Sequence, residues 1–151
     1  MIVLPFFKKK RFFSLEEEKQ IMASICLAER ASSGEVRVYV ESRCKKPVPE
    51  RTIQIFKRLK MQHTKERNGV LIYIAMDDHK FSIFGDEGIH EKLGFSFWHD
   101  EAATLKSYFE RDEIIGGICQ VVGDIGEKLK AKFPHPPDDK NELPDEIAYG
   151  R

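Results

Sequence analysis

The stretch Val70–Gly88 reads VLIYIAMDDHKFSIFGDEG, and it decides the fold. Its first part, Val70–Ala75, is almost entirely apolar, which is typical of a strand covered on both faces of a sheet. A short turn, Met76–His79, separates this strand from a second one at Lys80–Phe84. Because so short a connection can join only antiparallel neighbours, the stretch predicts a hairpin whose first strand is buried.

A strand with one buried face precedes this hairpin. Glu35–Val40 reads EVRVYV, so its three valines share one face and the other residues share the opposite face. Between this strand and the hairpin, residues 52–63 repeat apolar side chains at helical spacing, after a turn bracketed by Pro47 and Pro49. Strand, helix and strand in this order predict a right-handed parallel crossover. We therefore expect a small mixed sheet with one parallel pair and one antiparallel hairpin.

Helices are predicted on both sides of these strands. Ser14 and Glu17 have the spacing of a capping box, which opens a helix that ends near Gly34. After the hairpin, apolar spacing predicts three further helices, over Ile89–Leu93, Trp98–Phe109 and Ile115–Leu129. Together the patterns predict an α/β fold, a three-layer α/β/α sandwich in which about four to five helices flank the sheet.

The length and charge of the chain narrow the classes of function. Its 151 residues suffice for one hydrophobic core, and 41% hydrophobic with 33% charged residues is ordinary for a globular protein. Because 25 basic residues balance 25 acidic ones, no overall field attracts nucleic acid, and we expect no nucleic-acid partner. Three separated cysteines without a CxxC pair argue against a zinc knuckle or a dithiol redox centre.

Three regions are expected along the chain: an N-terminal arm at 1–13, an α/β domain at 14–133, and an extended, acidic, proline-rich tail at 134–151. In the arm, apolar Met1–Phe7 precedes basic Lys8–Arg11, which is the reverse of a signal peptide. No stretch has the length of a membrane helix. We therefore expect a cytoplasmic monomer without stable membrane insertion.

Polar residues from three loops should meet at one end of the predicted sheet. The parallel strands both begin at this end, and the last hairpin strand finishes there. The residues brought together are Ser32, Ser33, Glu35, Thr64, Asn68, Asp86 and Glu87. Oxygen ligands from several loops suit a hard cation such as calcium or magnesium. The alternative is that these side chains are ordinary solvated turn residues.

Other motifs that carry chemistry are missing from the sequence. It has no Walker loop, no dinucleotide fingerprint and no GxSxG elbow, and His90 and His99 do not have a zinc spacing. Asp138–Glu142 partly resembles a calcium loop but lacks the central glycine and the terminal glutamate at the required spacing. Catalytic residues therefore cannot be assigned from a motif.

Three blocks of the sequence resemble the TPM domain family. These blocks are Ser33–Val38, Asn68–Ile72 and Phe81–Ile89, and their order and spacing are similar to the signature of that family, over roughly Leu15–Phe133. The resemblance implies a central sheet flanked by helices, a divalent-cation site for calcium in an acidic cleft, and acid-phosphatase activity in some members. The residues at the matching positions are Glu35, Asn68, Asp86 and Glu87.

Two functions follow from these observations. The first is a calcium-binding accessory or interaction protein, whose partners are the metal ion and another protein. The second is a metal-assisted phosphomonoesterase, in which the cation polarises the phosphate and Arg37 or Lys65 binds it. The lack of a nucleophile–base pair favours the first.

Overall fold

A computed structural model describes residues 12–134 and 147–150. The helices and strands in this part of the chain are α1 (Leu15–Arg30), β1 (Glu35–Glu41), α2 (Val48–Arg58), a short 3₁₀ helix (Met61–His63), β2 (Gly69–Ala75), β3 (Lys80–Gly85), α3 (Glu87–Glu110), α4 (Ile114–Lys132) and β4 (Ile147–Tyr149). None of the helices described is long and apolar enough to cross a membrane. The predicted arm, 1–13, and tail, 134–151, lie mostly outside the described residues.

The strands form one mixed sheet in the order β3-β2-β1-β4. β1 and β2 are parallel, with Glu35 opposite Gly69, and β2 and β3 are antiparallel, with Val70 opposite Gly85. The predicted parallel crossover and the predicted hairpin are both confirmed. The parallel partner on the other side of β1 is β4, whose Ile147 lies opposite Val38. Nothing in the sequence pattern predicted this strand.

The sheet separates two hydrophobic cores, as expected of a three-layer α/β sandwich. The larger core joins the valines of β1 to apolar side chains of α1, α3 and α4, including Ile25, Leu105 and Ile125. The smaller core lies under α2, where Ile55 and Phe56 pack with the opposite face of β1 and β2. Because β1 and β2 are covered on both faces, every residue of the two strands is buried. The predicted fold class is confirmed.

Two local predictions about helices can be compared with the structure. The capping box of α1 is present: Glu17 N–H donates to Ser14 Oγ at 3.1 Å, and Ser14 N–H donates to Glu17 Oε1 at 2.8 Å. The first two of the three helices predicted after the hairpin belong to α3, which is interrupted at Gly94, where φ is +79°. This left-handed conformation favours glycine, and it kinks the helix immediately before Phe95.

Candidate functional site

The three loops predicted to converge meet around Gly69. Glu35 lies opposite Gly69 in the parallel register, Asn68 precedes it, and Asp86 N–H donates to Gly69 O at 2.9 Å. Glu35, Asn68 and Asp86 are buried, whereas the Glu87 side chain is 72% exposed at the rim. The structure therefore brings the four predicted ligands to one end of the sheet. Metal binding by these residues stays a prediction.

Arg67 binds both acidic residues that follow β3. Its Nε donates to Asp86 Oδ2 at 2.6 Å, its Nη2 donates to Asp86 Oδ1 at 2.9 Å, and its Nη1 donates to Glu87 Oε1 at 3.0 Å. The hydrogen bonds to Asp86 raise the pKa of the Arg67 guanidinium above its usual value. Two carboxylates thus converge on one positive group, and we call these three residues the Arg67 cluster. The sequence patterns gave Arg67 no role.

The backbone of the Arg67 loop packs against the first turn of α3. Arg67 O accepts hydrogen bonds from Gly88 N–H at 2.9 Å and from Ile89 N–H at 3.3 Å. Gly88 allows this close approach, because a Cβ atom there would lie 2.1 Å from Glu66 O. Asp86 is the N-cap of α3, and its Oδ1 accepts a hydrogen bond from Glu87 N–H at 2.8 Å. The position of Asp86 is therefore fixed both by the backbone hydrogen bonds of the Arg67 loop and by its own N-cap hydrogen bond.

Asn68 belongs to a second polar cluster, toward the loop that begins β1. Its Nδ2 donates to Ser33 Oγ at 3.1 Å, its backbone N–H donates to Thr64 Oγ1 at 3.3 Å, and the Ser33 hydroxyl donates to Glu66. Asn68 Oδ1 is buried and accepts no hydrogen bond from any residue that the structure describes. A buried acceptor without a donor is destabilising by about 1–3 kcal/mol, so this oxygen favours an electropositive neighbour.

The chain matches a known protein family over most of its length. The model of the TPM domain family matches residues 7–128, which is most of the chain. The chain belongs to the TPM domain family. The resemblance of the three sequence blocks to this family is thereby confirmed. None of the curated proteins compared with the chain matches it.

Solved structures show the same fold. This TPM domain is similar to the BA42 protein from the psychrophilic bacterium Bizionia argentinensis, with 37% identity, a TM-score of 0.87, and coverage of 95% of this chain and 99% of that one. It also resembles the N-terminal domain of the cg2496 protein from Corynebacterium glutamicum, with 11% identity, 90% coverage of both chains and a TM-score of 0.63. A P. gingivalis N-terminal domain has 17% identity, 82% coverage of both chains and a TM-score of 0.65. The last two similarities show the fold alone.

Three of the four predicted ligands of this TPM domain, Asn68, Asp86 and Glu87, are divided between two clusters. The Asn68 side chain contacts Ser33, whereas the Asp86 carboxylate contacts Arg67. In residues 12–134 and 147–150, no group of three or more His, Cys, Asp or Glu side chains is arranged to hold a metal ion. The donors are nonetheless carboxylate and amide oxygens, which hard cations prefer. Both oxygens of Asp86 accept hydrogen bonds from Arg67, with which a cation that bound Asp86 would compete.

The two residues proposed to bind phosphate, Arg37 and Lys65, lie in β1 and in the loop before β2. Arg37 is buried in β1, two residues beyond Glu35, and burial lowers the pKa of its guanidinium. Lys65 is exposed in the loop before β2. Arg67, to which the sequence patterns gave no role, is in contact with both Asp86 and Glu87. One feature of the sequence could have indicated the role of Arg67. This residue lies two positions before β2, in a loop that was predicted to meet the loop of Asp86 and Glu87.

Proposed function

We propose that this TPM domain is a divalent-cation-binding accessory domain, with calcium as the expected ion and magnesium as the alternative. The observation that supports it best is the convergence of Asp86 and Glu87 on the guanidinium of Arg67. The Arg67 side chain is 41% exposed, whereas that of Asp86 is 5% exposed. The positive group can therefore leave toward solvent, while the carboxylate must keep a positive partner.

The proposed donor set extends from the Arg67 cluster to Asn68. Asp86 and Glu87 supply carboxylate oxygens, Asn68 Oδ1 is a buried acceptor, and Glu35 is buried at the same end of the sheet. Calcium takes six to eight oxygen ligands in flexible geometry, including amide oxygens and water. In this proposal the cation binds Asp86 and Glu87 when the Arg67 side chain swings into solvent.

Binding of the cation would change the net charge around Asp86 and Glu87. Arg67, Asp86 and Glu87 together carry one positive and two negative charges, a sum of −1. A bound divalent cation changes this sum to +1. Such a reversal alters what the adjacent surface attracts, and this is how a cation-binding accessory domain can respond to metal concentration without catalysing a reaction.

Amide chemical shifts during a calcium titration test the proposal. We expect saturable shifts at Ser33, at residues 66–69 and at residues 86–88, and we expect the Asp86→Asn/Glu87→Gln double variant to lose them. Asp77→Asn is the matched control, because Asp77 follows the other end of β2. The proposal is wrong if calcium leaves both loops unperturbed, or if the shifts fall only at Asp138–Glu142.

Metal-assisted hydrolysis of a phosphate monoester is the second candidate function. The feature that favours it is the guanidinium of Arg67, since a phosphate needs a positive group beside the carboxylates that hold the metal. Asp86 and Glu87 would hold the cation, which would supply Lewis acidity. We expect any turnover of p-nitrophenyl phosphate to be lost in Asp86→Ala/Glu87→Ala. Turnover that persists in this variant would contradict the candidate.

A further inference from the structure

A groove of about 610 Å³ opens beside the Arg67 cluster. One wall is the end of β3, where Ile83 and Phe84 contribute apolar surface, and the other wall is α3, with Phe95 and Trp98. This volume is within the range of about 300–1,000 Å³ that is usual for ligand sites. The groove is therefore large enough for one or two side chains of a partner.

Phe95 is the most exposed of the large apolar side chains in the described residues. It is 81% exposed, directly after the kink at Gly94, and its ring meets the ring of His90 edge-on at 4.6 Å. A straight helix would place this ring differently, so the left-handed glycine determines its position at the rim. An aromatic ring held at the rim of an aromatic groove is typical of a recognition surface.

The strand that borders the groove is at the edge of the sheet. β3 pairs with β2 alone among the strands described, so one side of its backbone has no neighbouring strand there. An edge strand beside a groove is the arrangement used in β-strand addition, in which an extended peptide pairs with the edge and places alternate side chains in pockets. This geometry favours an extended segment over a helix as the occupant.

The charge of the groove identifies the chemistry of that segment. Among the described residues that line it, the two carboxylates of Asp86 and Glu87 outnumber the one guanidinium, that of Arg67. The Glu87 side chain is 72% exposed, and Arg67 contacts only its Oε1. A Lys or Arg side chain of the segment could form an ion pair with this carboxylate and cation–π contacts with the aromatic rings of the groove.

We propose that the β3 edge and this groove bind an extended segment of a partner protein, in which an apolar side chain enters the groove and a Lys or Arg reaches Glu87. The proposal names the partner for the accessory role, but it needs no bound metal. It is therefore tested in EDTA, where a failure of calcium binding has no effect on the result.

The probe is the synthetic peptide acetyl-Thr-Val-Thr-Lys-Thr-amide, whose Val and Lys share one face when it is extended, together with versions in which Glu or norleucine replaces Lys. We expect the Lys peptide to shift amides of Ile83–Glu87 and His90–Trp98, and to bind about fivefold more tightly than the norleucine peptide, equivalent to about 1 kcal/mol. The Glu peptide should bind more weakly than both. In Glu87→Lys the order of the Lys and Glu peptides should reverse.

Phe95→Ser and Leu27→Ser form a matched pair, because both replace an exposed apolar side chain and Leu27, on α1, is 67% exposed. We expect Phe95→Ser to weaken binding of the Lys peptide about fivefold, while Leu27→Ser leaves it unchanged. Equal binding of the Lys and Glu peptides, or no shift at the groove, would overturn the proposal. So would concentration-dependent dimerisation that Phe95→Ser abolishes, since a second copy would then occupy the groove.

Discussion

Arg67 and Asp86 form a bidentate ion pair, with Nε–Oδ2 and Nη2–Oδ1 distances of 2.6 and 2.9 Å. The pair joins the loop before β2 to the N-cap of α3, and its two members differ in exposure. Because Asp86 is buried and Arg67 is half exposed, removing the arginine leaves a buried carboxylate with its desolvation uncompensated. The ion pair is therefore both a structural contact and the competitor of any cation that binds there.

The first prediction concerns the stability that this ion pair provides without metal. Arg67→Gln should lower the free energy of unfolding in EDTA, since it deprives buried Asp86 of its charged partner. Urea denaturation measures the change. Arg111→Gln is the control, because Arg111 pairs with Glu113 and both side chains are more than half exposed. The control should lose less than about 1 kcal/mol, and equal losses would contradict the structural role of Arg67.

The second prediction compares two glycines. Gly88→Ala should destabilise by about 1–3 kcal/mol, because the new Cβ would meet backbone oxygens of Glu66 and Arg67 at 2.1 and 2.7 Å. Gly123→Ala, within α4, meets nothing within 4 Å and should stabilise by about 0.5–1 kcal/mol through helix propensity. Thermal unfolding of both variants checks the signs. A neutral Gly88→Ala would show that the loop does not pack on α3 as described.

The third prediction concerns the pH dependence of stability. Glu101, on α3, is 6% exposed and faces Asp124 on α4. Burial, then hydrogen bonding to Asp124, then the charges of Asp124 and Asp100 raise the pKa of Glu101 to about 8, from an ordinary value of 4.5. The folded state therefore binds more protons than the unfolded state between these values, and stability should fall as the pH rises through this window.

Glu101 alone should lower the free energy of unfolding by at most about 1.4 kcal/mol for each pH unit in this window. Urea denaturation at pH 6, 7, 8 and 9 measures it, and Glu101→Gln should flatten the profile and exceed the wild type at pH 9. Glu91→Gln, on the exposed surface of α3, is the control and should keep the wild-type slope. A wild-type profile as flat as that of Glu101→Gln would contradict the prediction.

The fourth prediction concerns β4. Ile147 is 1% exposed and joins the larger core, so Ile147→Ala should lower the free energy of unfolding by about 2–5 kcal/mol. Leu27→Ala, at a residue 67% exposed, should change it by less than about 0.5 kcal/mol. Urea denaturation again provides the measurement. Similar effects at both positions would show that β4 does not pack as described.

Much of the fold could be predicted from local patterns. The apolar run of β2, the alternation in β1 and the short turn before β3 are each determined by neighbouring residues, so the crossover and the hairpin were predicted correctly. β4 could not be predicted in this way. It is only three residues long, and it forms because the edge of β1 accepts it, a contact between residues more than a hundred positions apart.

The candidate site could be predicted to the level of its location only. Strand direction fixes which end of the sheet Glu35, Asn68 and Asp86 share. The pairing of Arg67 with Asp86 depends on a left-handed backbone at Arg67, with φ of +52°, and on the close approach permitted by Gly88. Neither feature produces a periodic pattern in the sequence. The sequence analysis therefore did not identify Arg67 as the residue that would compete with a cation for Asp86.

The central claim is that a divalent cation and Arg67 compete for Asp86 and Glu87, and calcium affinity measured by calorimetry tests it most directly. Without its competitor, Arg67→Gln should bind calcium at least about fivefold more tightly than the wild type, equivalent to about 1 kcal/mol. Arg111→Gln should bind it with wild-type affinity. Unchanged or weaker binding by Arg67→Gln, or no binding by either protein, would contradict the claim.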